Sequence, residues 1–214
     1  HYTNMKFINT EIKKKILNLN KQFNLKTPFK YLVIENFFNE AIAEEVYNCY
    51  PKIEIESNSW DGTTYLDQKN KFTKTKFEED TMLFNLFNEL NSTEFLNLIS
   101  QITNINSLIG DSELFGGGLH QSTKGAFLNV HVDYNFHPKT KFHRRCNLII
   151  YLNKNWKDEY NGYLELWDFT NLKKGKLIEK IAPSFNRAVI FETNEISYHG
   201  HPLPLNTPKE INRK

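Results

Sequence analysis

From Leu114 to the C-terminus the chain is cut into short apolar or alternating runs: LHQ, FLNVHVD, CNLIIYLN, YLELWDF, LIEKIAP, RAVIFE and ISYHGH. Gly, Asn and Pro stand between them. Runs this short, rich in β-branched and aromatic residues, form strands rather than helices. Their close spacing predicts an antiparallel sandwich or barrel. Gly116 to Gly118 have no Lys-Ser/Thr after them and open no helix, so they are expected to permit a bulge or a close strand contact rather than to cradle a phosphate.

The N-terminal half has a different period. Ile8, Ile12, Ile16 and Leu19 recur at helical spacing, with Lys13 to Lys15 on the solvated face. A strand is expected at Tyr31 to Phe38, then a helix capped by Asn39 and stopped at Pro51. Two more helices are expected over Thr81 to Leu90 and Ser92 to Ile102, with Leu83, Leu86, Phe95, Leu98 and Ile102 on their buried faces. Residues 1–4, ahead of Met5, are read as a remnant with no role. The whole chain, 1–214, is expected to be a single domain: helical support over about 5–110 and a β core over about 111–214.

Composition narrows the partners. The 214 residues are 39% hydrophobic and 24% charged, with 17 Phe, 10 Tyr and 3 Trp, enough to pack a core. A balance of 27 basic against 25 acidic residues argues against nucleic acid or a charged membrane as the main partner. No apolar run suffices to span a bilayer. Cys49 and Cys146 make no disulfide framework and no zinc motif, which predicts a reducing, cytoplasmic setting.

The residues that carry chemistry begin at His131-Val-Asp133. A strand has a side-chain period of two, so imidazole and carboxylate share a face. Tyr198-His199-Gly200-His201, just after the apolar run Arg187 to Phe191, can supply a third ligand. Two His and one carboxylate form the facial set that leaves three positions open on Fe(II). An HxD pair alone is more often an ordinary hydrogen-bonded pair.

The runs RRCNLIIYLNKNWKDEYNGYLELWDF and IAPSFNRAVIFETNEISYHGHPLPL resemble the 2-oxoglutarate/Fe(II) dioxygenases of the prolyl 4-hydroxylase type, over about Gly116 to Arg213. The resemblance implies an α+β fold with a double-stranded β-helix (jelly-roll, cupin-like) core behind N-terminal helices. It implies His131, Asp133 and His199 as iron ligands and catalytic centre. Arg213, one of the chain's four arginines, matches the basic residue that pairs with the far carboxylate of 2-oxoglutarate; Lys209 is the alternative. Tyr151 matches a tyrosine holding the same carboxylate. Ile149 and Asn147 share its face by alternation and would line the pocket, with Leu164 walling it from the opposite strand.

The implied cofactors are Fe(II), 2-oxoglutarate and O2, and the implied reaction is oxidative decarboxylation to succinate and CO2 coupled to hydroxylation. Asp133 fills the position that halogenating relatives vacate for chloride, so hydroxylation is expected. The substrate would be a prolyl residue in a peptide or protein, or an amino-acid-like small molecule. Its recognition is expected at Ser59 to Thr75, with Trp60, Tyr65 and Phe72, at Tyr134 to Arg145, and at Trp167 and Asp168. Because the family continues past its clamp with another strand, the last strand is expected to lie beyond Lys214. His120 and His201 could contact substrate or ligands but are more simply hydrogen-bonded residues, and Lys139, Lys141, Arg144 and Arg145 read as a solvated hairpin. The rival readings are a non-catalytic cupin-like module binding metal or sugar, and a zinc hydrolase using the same three ligands.

Overall fold

The computed structural model describes residues 5–53, 60–65, 68–171 and 173–214. The expected first helix is two: α1 (Glu11–Lys14) and α2 (Ile16–Asn24) are separated by Lys15, which at φ −108° and ψ 8° steps out of helical geometry. The apolar register survives the break, and Ile8, Ile12, Leu19 and Phe23 are all buried. After β1 (Tyr31–Ile34) comes α3 (Glu40–Asn48). Asn39 does stand at its N-terminus, but its amide donates backwards to the carbonyls of Lys6 and Ile8 instead of accepting from the first turn. That side chain fastens the N-terminal segment. By contrast α4 (Met82–Leu90) and α5 (Thr93–Thr103) are capped by the hydroxyls of Thr81 and Ser92, which accept from Phe84 and Phe95 N–H.

The expected recognition loop at Ser59 to Thr75 is instead a pair of strands, β2 (Asp61–Tyr65) and β3 (Gln68–Lys74). Ser59 and the Tyr65 side chain lie outside what the structure describes. Polar strands such as DGTTY and QKNKFTK lack the apolar alternation that announces a strand, because β2 forms a sheet edge and has little to bury. Trp60 is 8% exposed, donates to the Lys52 carbonyl and stacks on Tyr50, and Phe72 packs against the helical core. Both are packing residues.

The remaining strands are β4 (Leu119–His131), β5 (Cys146–Tyr151), β6 (Leu164–Asp168), β7 (Lys176–Ile181), β8 (Arg187–Glu192) and β9 (Tyr198–His201). Among the described residues these strands pair antiparallel throughout, in a six-stranded sheet ordered β2-β3-β4-β9-β6-β7 and a three-stranded sheet ordered β1-β8-β5. The result is the α+β architecture of a double-stranded β-helix with helices on one side. Gly116 and Gly118 turn the chain into β4 at positive φ, where Gly118 passes tightly against the Lys74 carbonyl.

The small sheet separates two cores by simple alternation. Leu32, Ile34, Ala188 and Ile190, with Cys146, Leu148 and Ile150, face the helices. Tyr31, Val189, Phe191, Ile149 and Tyr151 face inward and meet Leu164, Leu166 and Ile181 of the large sheet. Burial of each large apolar side chain is worth about 1.5–3 kcal/mol, so either face resists reversal of register. No helix among the described residues is long and apolar enough to cross a membrane.

Candidate metal centre and carboxylate pocket

Between Leu128 and His131, β4 carries one residue more than its partner β9: Leu128 pairs with His201, yet His131 pairs with His199. This bulge sets two imidazoles opposite each other, with ring centroids 4.5 Å apart. It also turns the Asn129 carbonyl towards His131 Nδ1, which donates to it at 2.7 Å. His199 Nδ1 donates to the Ser197 carbonyl at 2.9 Å. A carbonyl can only accept, so both rings carry a proton on Nδ1, and each ring in its neutral form presents Nε2 as a free lone pair. Those atoms lie 3.4 and 3.5 Å from the two Asp133 carboxylate oxygens. The ligand atoms of His131, Asp133 and His199 all fall within 4.8 Å of one another, the donor set and tautomers that a facial Fe(II) site needs.

Gly200 permits this approach. A Cβ there would meet the backbone oxygens of Leu128 and Asn129 at 2.8 Å, so a side chain would push β9 off the bulge. Burial alone would raise the Asp133 carboxyl, but the His131 hydrogen bond and the charges of His199 and Arg144 bring it down to about 2. His131 is raised, chiefly by its bond to Asp133, while His199, more deeply placed, is lowered by burial. The carboxylate is therefore ionised and ready to accept a cation.

Asn147, expected on the cosubstrate wall, is tied to two side chains of the site. Its Nδ2 donates to Asp133 Oδ2 at 2.5 Å, and its Oδ1 accepts from Arg144 Nη2 and Nε at 2.7 and 3.2 Å. Arg144 is thus no solvated hairpin residue; it is half-buried and lies over the Tyr134 ring. Alternation placed Asn147 on the correct face, but nothing in the sequence paired it with Asp133 or Arg144. Lys139, Lys141 and Arg145 are exposed, as expected of a solvated hairpin.

The second part of the site lies deeper on the inward face of β5. Beyond β9 the chain stays beside β4, where Leu205 and Ala126 and then Arg213 and Ser122 are joined by backbone hydrogen bonds. Arg213 is carried over the Tyr151 ring, 5.3 Å from its centroid, and Nη2 donates to the Tyr151 hydroxyl at 3.3 Å. Gly162, at φ +75°, leaves room for it: a Cβ there would lie 3.2 Å from Arg213 Cδ and 2.5 Å from Leu205. Ile149 and Leu164 pack beside Tyr151. Lys209, the alternative clamp, is exposed on a turn.

Arg213 Nε is buried with no partner, and among the described residues no carboxylate lies within ion-pair distance of its guanidinium. A buried cation in that condition suits an anionic guest. His201 is 3% exposed with both ring nitrogens unpartnered, and burial followed by the charges of Arg213 and Lys71 pushes it well below the ordinary histidine value. His120 accepts no such isolation: its Nε2 bonds the Gly117 carbonyl, and Tyr50 donates to its backbone oxygen.

Residues 117–212 match the sequence model of the 2OG-Fe(II) oxygenase superfamily. A 57-residue stretch, 26% of the chain, is 33% identical to a mouse (Mus musculus) protein described as prolyl 3-hydroxylase OGFOD1; the match spans 10% of that relative's length. The fold is similar to that of a Trichoplax adhaerens prolyl hydroxylase solved with a hypoxia inducible factor peptide fragment (TM-score 0.61, 18% identity, 97% of this chain and 91% of that one). It is also similar to a Pseudomonas putida prolyl-4-hydroxylase (TM-score 0.56, 15% identity, 91% and 94% covered).

Proposed function

We propose that this chain is a 2OG-Fe(II) oxygenase, a reading supported by the match of residues 117–212, and that it hydroxylates a prolyl residue of a peptide or protein, or an amino-acid-like small molecule. The observation that carries the reading is the pairing of two half-sites on one inward face: a His-Asp-His set with both Nε2 atoms turned to one carboxylate, and an anion-seeking Arg213 beside Tyr151. When bound, Fe(II) and 2-oxoglutarate supply the oxidative decarboxylation and the oxygen transfer.

The protein's own residues hold and orient. His131, Asp133 and His199 would ligate the metal, Asn147 keeps the Asp133 carboxylate turned, and Arg213 with Tyr151 would grip the far carboxylate of 2-oxoglutarate. Ile149 and Leu164 keep that end dry, which strengthens a charged hydrogen bond. The prolyl preference rests on the names of the similar proteins. The free Cys49 and Cys146 suit a cytoplasmic setting.

The test is anaerobic loading with Fe(II) and 2-oxoglutarate, followed by air and a succinate-release screen against proline-containing peptides and free amino acids. Substrate-dependent succinate that disappears in His131→Ala, Asp133→Ala and His199→Ala supports the reading. Metal-dependent hydrolysis without O2, or retained turnover in Asp133→Ala, overturns it.

A further inference from the structure

Around the Tyr151 hydroxyl the interior is oversupplied with donors. Arg213 Nε has no acceptor, and Tyr151, which accepts from Arg213 Nη2, keeps its own proton to give. His201 adds an imidazole, 3% exposed, whose two nitrogens both lack partners. Alternation puts His201 on the same inward face of β9 as His199. His201 lines a small cavity together with Gly162, the residue against which Arg213 Cδ packs. Unmet buried polar groups are costly, and native interiors retain few of them. The neighbour of His201 across the β6–β9 ladder, Leu164, is apolar and buried, so packing alone does not call for an imidazole here.

We propose that His201 donates an N–H to the same carboxylate that Arg213 and Tyr151 hold, the end of 2-oxoglutarate remote from its keto group, and so helps select a dicarboxylate cosubstrate. The proposal rests on the reading of the preceding subsection. A carboxylate offers about four acceptor positions, more than Arg213 and Tyr151 fill, and an imidazole keeps an N–H in either protonation state. His201 is then a second reader of the far end, separate from the metal-binding His199.

The test uses the full chain loaded with Mn(II), without O2, and compares calorimetric binding of 2-oxoglutarate with that of 2-oxopentanoate, which has a methyl group where the far carboxylate stands. His201→Leu should raise the Kd for 2-oxoglutarate about tenfold or more while leaving Mn(II) affinity and 2-oxopentanoate binding near wild type. His201→Gln, which restores a donor, should recover part of the loss. Without ligands, His201→Leu should melt no lower than wild type, since an apolar side chain of similar volume removes two unmet groups. Equal losses for both keto acids, unchanged 2-oxoglutarate binding, or no recovery by glutamine in a folded protein overturns the proposal. Wild-type protein that takes up Mn(II) but neither keto acid sinks the oxygenase reading itself; normal wild-type binding with an indifferent His201→Leu sinks only the role of His201.

Discussion

Replacing Asn147 with leucine removes one side chain from a three-part chain of hydrogen bonds and leaves its volume nearly unchanged. Two things are lost: the 2.5 Å bond to Asp133 and the acceptor for Arg144 at 2.7 and 3.2 Å. A hydrogen bond to an ionised carboxylate is worth about 1.5–3 kcal/mol, which at about 1.4 kcal/mol per decade corresponds to roughly one to two decades of metal affinity. That agrees with the roughly 10–100-fold cost of losing a partner behind a metal ligand. Anaerobic competition titration with Co(II) reads the affinity, and thermal unfolding of the metal-free protein checks that the fold is intact. Asn147→Leu should weaken Co(II) by about 10–100-fold with both histidines unaltered. An affinity within about twofold of wild type, well under 1 kcal/mol, would refute the idea that Asp133 depends on Asn147 for its orientation.

The remaining predictions address the pocket, the strand approach and pH. Arg213→Ala should weaken 2-oxoglutarate by about 2–5 kcal/mol and Tyr151→Phe by about 1.5–3, with Lys209→Ala unchanged; calorimetry on Mn(II)-loaded protein gives the order, and a larger loss in Lys209→Ala would move the clamp. Gly200→Ala should cost about 1–3 kcal/mol of stability and also weaken Co(II), because its methyl meets two backbone oxygens at 2.8 Å; a denaturant curve and a metal titration unchanged from wild type would contradict the close approach. His131 is held above the ordinary histidine value, so its pairing with Asp133 stabilises the metal-free fold below about pH 6.5 and that contribution fades as pH rises through the raised value. Metal capture has the opposite sign, since His131 must lose that proton: Co(II) affinity should climb between about pH 6 and 8, and a flat or falling profile would show that another group limits binding.

The C-terminal half was legible because its chemistry is written in alternation. HVD, NLIIY and SYHGH each place every second side chain inward, and the structure brings those side chains together. Other features carry no such mark. The β4 bulge that aligns His131 with His199 is a mismatch in pairing between distant strands, so neither strand alone reveals it. The partner of Asn147 depends on how Asp133 and Arg144 fold back, which a period cannot encode. Strands β2 and β3 carry no apolar alternation in DGTTY and QKNKFTK to mark them, and Lys15 interrupts a helix without any Gly or Pro to announce it. Trp60 looked like a mouth residue by type and is a packing residue by place.

The bond between Asp133 and Asn147 spans 14 residues and closes the base of the excursion that contains Tyr134 to Arg145. Apart from Arg144, which is itself tied to Asn147, whatever lies above that clasp is mechanically insulated from the ligands below it. A loop closed at its base pays little for extra length, the cost growing only with the logarithm of the residue number. Segments of very different size and composition can therefore be exchanged between Tyr134 and His143 while the floor of the site stays in register. The clasp makes the rim a replaceable part, so a scaffold of this kind can change its clientele without rebuilding its chemistry.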